Sequence, residues 1–171
     1  IRVMTLGPYQ GELYSAFGHS AFRVYDPVTN LDLVYNYGVF DLDQDYFYPN
    51  FIRGRMLYKL GISRYKGFRD VYISKNRYVY EQVLNLDQQQ KQAVFDFLTN
   101  NYKPENRNYL YNYVYDNCSS KILEVLKASL AQEILLDSTH MQEGTTIRQL
   151  MDSYACQQQL GDFGIDLGLG L

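Results

Sequence analysis

Residues Tyr115–Leu130 read Tyr-Asp-Asn-Cys-Ser-Ser-Lys-Ile-Leu-Glu-Val-Leu-Lys-Ala-Ser-Leu, and the architecture is best approached from here. Asn117 is a good helix N-cap, because its amide oxygen can accept from the first unpaired backbone N–H groups. Behind it Cys118, Ile122, Leu126 and Leu130 fall at steps of four, so they share one stripe of a helix running to about Leu130. Cys118 therefore opens a helix. Free N–H groups and the positive end of the helix dipole stabilise an anion there. A thiolate is an anion, so the position lowers the thiol pKa and makes the sulfur nucleophilic. The same N–H groups can hold the oxyanion of a tetrahedral intermediate. The plainer reading is a small buried hydrophobe on the helix's inner stripe, a common fate of free cysteine.

Working outward, the N-terminal half reads as strands. Arg2–Leu6 is an apolar-rich run ended by Gly7-Pro8, His19–Tyr25 follows Gly18, and Leu31–Val39 forms a hairpin with it across Asp26–Asn30. Asp45–Arg53 is aromatic and holds at most a helical turn, broken at Pro49. Met56–Leu60, Phe68–Ser74 and Tyr78–Leu84 read as further strands. The C-terminal half is helical. Asp87 with Gln90 makes a capping box ahead of Ala93, Val94, Phe97 and Leu98, and Thr146 with Gln149 makes another ahead of Ile147, Leu150, Met151 and Tyr154. The expectation is α+β, an antiparallel sheet packed with helices on one side. One domain spans 1–160, and the Gly-rich 161–171 reads as an exit linker.

Composition narrows the function classes. The chain has 171 residues, a net charge of −3, 18 Tyr, 9 Phe and no Trp. A pI of about 5.3 argues against a nucleic-acid partner, whose phosphates demand a basic surface. No apolar run approaches the ~20 residues that span a bilayer. Starting at Ile1 without Met, the chain reads as a processed or truncated piece. Cys118 and Cys156 are too few for a disulfide framework and form no metal-binding pair, and neither metal nor cofactor is expected. Cys156 is expected to be free and dispensable.

His19 gives Cys118 a potential partner. It lies in Ala-Phe-Gly-His-Ser-Ala-Phe inside an apolar strand, where it is either a hydrogen-bonded core residue or a general base. Gly18 before it makes room for a close backbone approach. Triad logic asks for a third group that orients the imidazole. Asn36, the odd polar residue in Tyr-Asn-Tyr-Gly of the next strand, is the candidate, with Asp41 as runner-up; the alternative is a strand-end residue before a turn at Gly38. Tyr14 could donate to the oxyanion. His140, in a polar loop, carries little weight. If the pair is real, Cys118 and His19 should lie within about 4 Å of each other, far apart though they are in the chain.

The order His in a strand, polar group in the next strand, then Cys at a helix start resembles the circularly permuted papain-like (NlpC/P60-type) group that includes lecithin:retinol acyltransferase. More narrowly, Leu13–Val24 (LYSAFGHSAFRV), Asp32–Asp41 (DLVYNYGVFD), Phe51–Tyr58 (FIRGRMLY), Asn106–Ser120 (NRNYLYNYVYDNCSS) and Gly164–Gly170 (GIDLGLG) resemble the N-terminal periplasmic domain of the Bacteroides-type lipoprotein N-acyltransferases. The resemblance implies a periplasmic domain joined to a C-terminal membrane part, and a reaction that moves a fatty acyl chain onto the N-terminal amine of a lipoprotein. It maps His19 and Cys118 onto the family's catalytic positions. It also implies a phospholipid or lipoprotein as acyl donor. Tyr46, Phe47, Tyr48 and Phe51 could line the path of the chain. Two readings from other classes compete: a cysteine peptidase or amidase acting on cell-wall peptides with the same dyad, and a non-catalytic module that binds lipid or a partner. An apolar groove beside Cys118 favours acyl transfer, and a polar cleft favours the peptidase.

Overall fold

In the computed structural model, which describes residues 1–12, 15–40, 56–112, 114–130, 134, 137, 139 and 144–155, the apolar runs of the N-terminal half become strands β1 (Arg2–Leu6), β2 (His19–Asp26), β3 (Leu31–Phe40) and β4 (Met56–Arg64). Then follow helix α1 (Tyr65–Ser74), β5 (Val79–Val83), α2 (Gln88–Asn101), β6 (Asn108–Tyr111), α3 (Cys118–Leu130) and α4 (Ile147–Ala155). The strands form one sheet in the order β5-β1-β2-β3-β4-β6, every neighbouring pair antiparallel. The β2–β3 hairpin turns where the sequence suggested. The Asp26 carboxylate accepts from the Val28 N–H at 2.9 Å and the Thr29 hydroxyl at 2.7 Å, and Asn30 takes the left-handed conformation that Asn tolerates.

Side chains alternate across a strand, so the sheet has two faces to cover. Phe22, Val24, Tyr35, Tyr37 and Leu60 lie on one, packed against Val94 and Leu98 of α2 and Ile122, Val125 and Leu130 of α3. Met4, Leu6, Ala21 and Val34 lie on the other, covered by Tyr65, Phe68 and Tyr72 of α1. Helices thus flank both faces, against the expectation of one. The reason is local. The segment Phe68–Ser74, read as a strand from its aromatic and β-branched content, is helical. Its aromatics recur at helical spacing (65, 68, 72), which puts them on the uncovered face, while Val71 and Ile73 stay exposed and Lys66 pairs with Asp70 one turn on. Below α1, Arg23 bonds Asp32 at 2.7 Å and Glu81 at 2.9 Å and lies 3.3 Å from the Tyr65 ring centroid, tying β2, β3, β5 and α1 together.

Strand β4 runs on to Arg64, beyond the expected Leu60, and β6 is an element the sequence reading did not contain. Both capping boxes form. At α2 the Asp87 side chain accepts from Gln90 N–H at 2.8 Å and the Gln90 side chain from Asp87 N–H at 2.9 Å. The turn expected in Asp45–Arg53 and the 161–171 linker lie outside the described residues. Leu6, Val79, His19, Tyr58 and Tyr111 all fall at one end of the sheet by their pairing, and the candidate site lies there.

Candidate active site

Residue His19 heads β2. Gly18 just before it has a φ of 76°, and a Cβ there would sit 2.7 Å from the Leu6 carbonyl oxygen, so only glycine lets the chain enter β2 this close to the end of β1. On the neighbouring strand β3, Asn36 shares His19's face of the sheet, and His19 Nε2 lies 2.5 Å from Asn36 Oδ1. An amide oxygen can only accept, so the Nε2–H donates. That fixes the tautomer and leaves Nδ1 with its lone pair for another partner.

The partner comes from α3. Asn117 Oδ1 accepts from the N–H groups of Ser119 at 2.9 Å and Ser120 at 3.1 Å, and the Ser120 hydroxyl accepts from Asn117 N–H at 2.8 Å. This reciprocal cap starts the helix at Cys118 and brings the thiol round the end of the sheet to the cavity that His19 also lines, near enough for the imidazole to act on its pKa. Burial pushes the thiol pKa up. The His19 hydrogen bond and charge, the Ser20 backbone N–H and the Ser119 hydroxyl more than offset it, and the net shift is downward. The thiolate is thus the favoured form at a lower pH than for an ordinary cysteine. Beneath the site the Tyr109 phenol is pushed well up, first by burial and then by the negative charge of Cys118, so it stays neutral.

One residue of the site escaped the sequence reading. Gly38, taken as a turn, lies inside β3 at a bulge between Tyr37 and Val39, with a φ of 130°. A Cβ there would come 3.0 Å from His19 Cε1, so Gly38 is what allows the imidazole to lie against β3. The signal available was a glycine two residues after Asn36, an isolated polar residue between two tyrosines. Cys118 is a free thiol. Tyr14, Asp41, Tyr46, Phe47, Tyr48, Phe51, His140 and Cys156 lie outside the described residues. Among the described residues no cluster of His, Cys, Asp and Glu could hold a metal ion.

A cavity of about 600 Å³ opens at Cys118 and His19. Phe40, Tyr58 and Tyr111 form one wall, with Tyr58 and Tyr111 stacked at 4.2 Å between ring centroids. Ile147, Leu150, Met151 and Tyr154 of α4 form another. The apolar stripe of this last helix was visible in the sequence. Its facing the thiol was not, because that depends on where the chain returns after α3.

The chain also matches a known family over most of its length. The model of the Lnb N-terminal periplasmic domain matches residues 2–153. No curated protein and no solved structure matches the chain. Among the described residues no helix is long and apolar enough to cross a membrane. With the match running from β1 into α4, the chain belongs to the Lnb N-terminal periplasmic domain family and is a periplasmic domain.

Proposed function

We propose that the domain is a thiol-dependent acyltransferase that moves a fatty acyl chain through a Cys118 thioester to the N-terminal amine of a lipoprotein, with His19, Asn36 and Cys118 in the permuted papain-like order. The observation that carries the reading is a cavity with aromatic and aliphatic walls that opens at a thiol whose pKa is lowered. His19 Nδ1 takes the Cys118 proton. The thiolate attacks the carbonyl carbon of a lipid ester, and the Cys118 backbone N–H donates to the oxyanion that forms. As the C–O bond breaks, the leaving alkoxide takes the proton back from the imidazolium and departs as an alcohol. The amine then attacks the thioester carbon and gives a proton to His19. The C–S bond breaks, leaving an amide, and the thiolate recovers its proton. Asn36 keeps Nδ1 aimed at sulfur through both halves.

Part of the cavity wall supports this reading over a cell-wall peptidase. No Asp or Glu lines it among the described residues, and Phe40, Tyr58, Tyr111 and the α4 side chains offer apolar surface to an acyl chain, beside polar groups such as Thr5, Ser15, Ser20 and Ser119. The test is intact-mass analysis of the protein incubated with phospholipid, then with a diacylated lipopeptide bearing a free N-terminal amine. A mass increase of one acyl group that Cys118→Ala abolishes, followed by its appearance on the lipopeptide amine, is the expected result. Release of cell-wall peptides with no acyl-enzyme would establish the hydrolase instead. An unlabelled wild type with a thiol no more reactive than a free one would leave a binding module.

A further inference from the structure

Residues His19 and Cys118 are each followed by a serine, and the two serines meet. Ser20 Oγ lies 3.3 Å from Ser119 Oγ, joining β2 to the first turn of α3. Alternation explains the contact, since Ser20 shares its face of the sheet with Phe22 and Val24, the face that α3 covers. Both serines line the cavity with Cys118 and His19. Each hydroxyl has one proton. One of the two protons lies between the oxygens, and the other is left for a third group. The backbone of α3 leaves a place for it. An oxyanion hole commonly pairs two donors aimed at the oxygen where charge develops. Here the Asn117 cap takes the N–H groups of Ser119 and Ser120, and the Lys121 N–H bonds the Asn117 carbonyl. Of the first-turn N–H groups, the cap leaves that of Cys118 to an oxyanion.

We propose that Ser119 is a further catalytic residue of this site, its hydroxyl serving as the second oxyanion donor beside the Cys118 N–H, with Ser20 orienting it by donating to Ser119 Oγ. The inference rests on the acyl-transfer reading and deepens it. The Ser119 hydroxyl is carried by the residue joined to Cys118 and stands near enough to act on the thiol, whose pKa it helps to lower. A donor so placed is also close to an oxygen on the carbon that the sulfur attacks. As the C–S bond forms, the carbonyl π pair moves onto that oxygen, and the hydroxyl turns about its Cβ–Oγ bond to follow the charge. It keeps its proton throughout, and it turns back when the carbonyl re-forms and the alkoxide leaves. Attack of the amine on the thioester repeats the sequence. Donation from Ser20 polarises the Ser119 O–H and strengthens the bond it makes. In the reverse arrangement, with Ser119 donating to Ser20, the spare proton would lie beside His19 instead of beside the sulfur.

The experiment compares two reactions of Cys118. Acylation, by para-nitrophenyl octanoate or by dioleoylphosphatidylglycerol in detergent micelles, passes through an oxyanion. Alkylation by iodoacetamide does not. Both are followed by intact mass against pH, and their rates are compared above each variant's inflection, where the thiol is ionised throughout. Ser119→Ala should slow acylation by about 10- to 100-fold, the worth of one hydrogen bond to a charged group, while alkylation keeps its plateau. The alkylation inflection should move up, since one lowering influence is gone. Ser119→Thr, which keeps a hydroxyl, should recover most of the acylation rate, and Ser20→Ala should cost less than Ser119→Ala. Equal losses in acylation and alkylation overturn the proposal and leave Ser119 a structural partner of the thiol. An unchanged acylation rate also overturns it. A larger loss in Ser20→Ala than in Ser119→Ala would make Ser20 the donor and overturn the assignment to Ser119. If the wild type is acylated by the nitrophenyl ester alone, the lipid donor falls, and Ser119→Ala still decides the proposal. Acylation by neither ester removes the acyl-transfer reading and this inference with it.

Discussion

Helices α3 and α4 begin alike and end differently. Each starts with a reciprocal cap: Asn117 with Ser120 at α3, Thr146 with Gln149 at α4, where Thr146 Oγ1 accepts from Gln149 N–H at 3.2 Å and Gln149 Oε1 from Thr146 N–H at 2.9 Å. Each carries an apolar stripe. The α3 stripe disappears under the sheet, with Val125 only 1% exposed. The α4 stripe remains at the cavity mouth, with Ile147 51% and Tyr154 46% exposed. Local chemistry decides that a helix starts, and what the stripe meets decides its purpose. Burial of α3 against Phe22 and Tyr37 makes it a structural member that happens to carry Cys118 on its first turn. The stripe of α4 meets open space beside a thiol, which makes it a wall of the cavity.

The sharpest way to break that contrast is to shorten one stripe residue in each helix. Ile122→Ala in α3 removes a side chain only 8% exposed and should cost about 2–5 kcal/mol of stability, read from denaturant unfolding. Leu150→Ala in α4 starts from 45% exposure and should cost under about 1 kcal/mol. Activity should reverse the ranking per unit of folded protein: Leu150→Ala slows acylation by long-chain donors more than by short-chain ones, and Ile122→Ala does not discriminate between them. Equal stability losses would make α4 a core helix and remove the contrast.

A smaller effect sharpens the same comparison at the first turn of α3. Because the Cys118 pKa is lowered, the thiolate should persist below the ordinary thiol range. The rate of alkylation by iodoacetamide against pH should turn over lower than for a free cysteine. His19→Ala removes the largest lowering influence and leaves burial, which raises the pKa, so the inflection should move up and the rate at neutral pH should fall. Asn36→Ala should leave the inflection nearly in place, since Asn36 carries no charge, yet slow turnover by letting the ring rotate. An inflection that ignores His19 would dissolve the dyad.

How much of this was written in the chain depends on the range of the interactions. Caps at Asp87, Asn117 and Thr146 are three-residue events, and all of them formed at the residues read. The Asp26–Asn30 turn is equally local. By contrast, α1 was misread because Phe68, Val71, Tyr72 and Ile73 favour strands on propensity, and the choice of helix was made by the uncovered face of Met4, Ala21 and Val34. Strand β6 is four residues long, too short for alternation to stand out in a Tyr- and Asn-rich run. His19, Asn36 and Cys118 could each be named from local context, since each is a polar or reactive residue where the pattern asks for an apolar one. A groove beside Cys118 was an expectation of the acyl-transfer reading, but its described walls could not be read in advance, because they come from strand ends and a returning helix that meet only in the fold.

The smallest expected effect concerns the caps themselves, and it asks whether two equal local motifs are worth equal amounts. Asn117→Ala should cost about 1 kcal/mol of global stability, the usual worth of an N-cap, because α3 is joined to the sheet through Ile122, Val125 and Leu130 and unfolds with it. Its loss also frees the Ser119 and Ser120 N–H groups and loosens the turn that presents Cys118, so the alkylation inflection should rise slightly as well. Thr146→Ala removes a similar bond from α4, a helix tied to the body by the Gln10 side chain, which donates to the Tyr154 carbonyl at 2.9 Å. There the loss should appear as faster amide exchange confined to α4, with the global midpoint unchanged, since a segment that opens by itself does not report on the core. Asn117→Ser and Thr146→Ser, which keep a capping oxygen, serve as controls for each. If Thr146→Ala lowered the global midpoint as much as Asn117→Ala, α4 would unfold with the sheet, and a helix so coupled would be part of the core whatever its stripe faces.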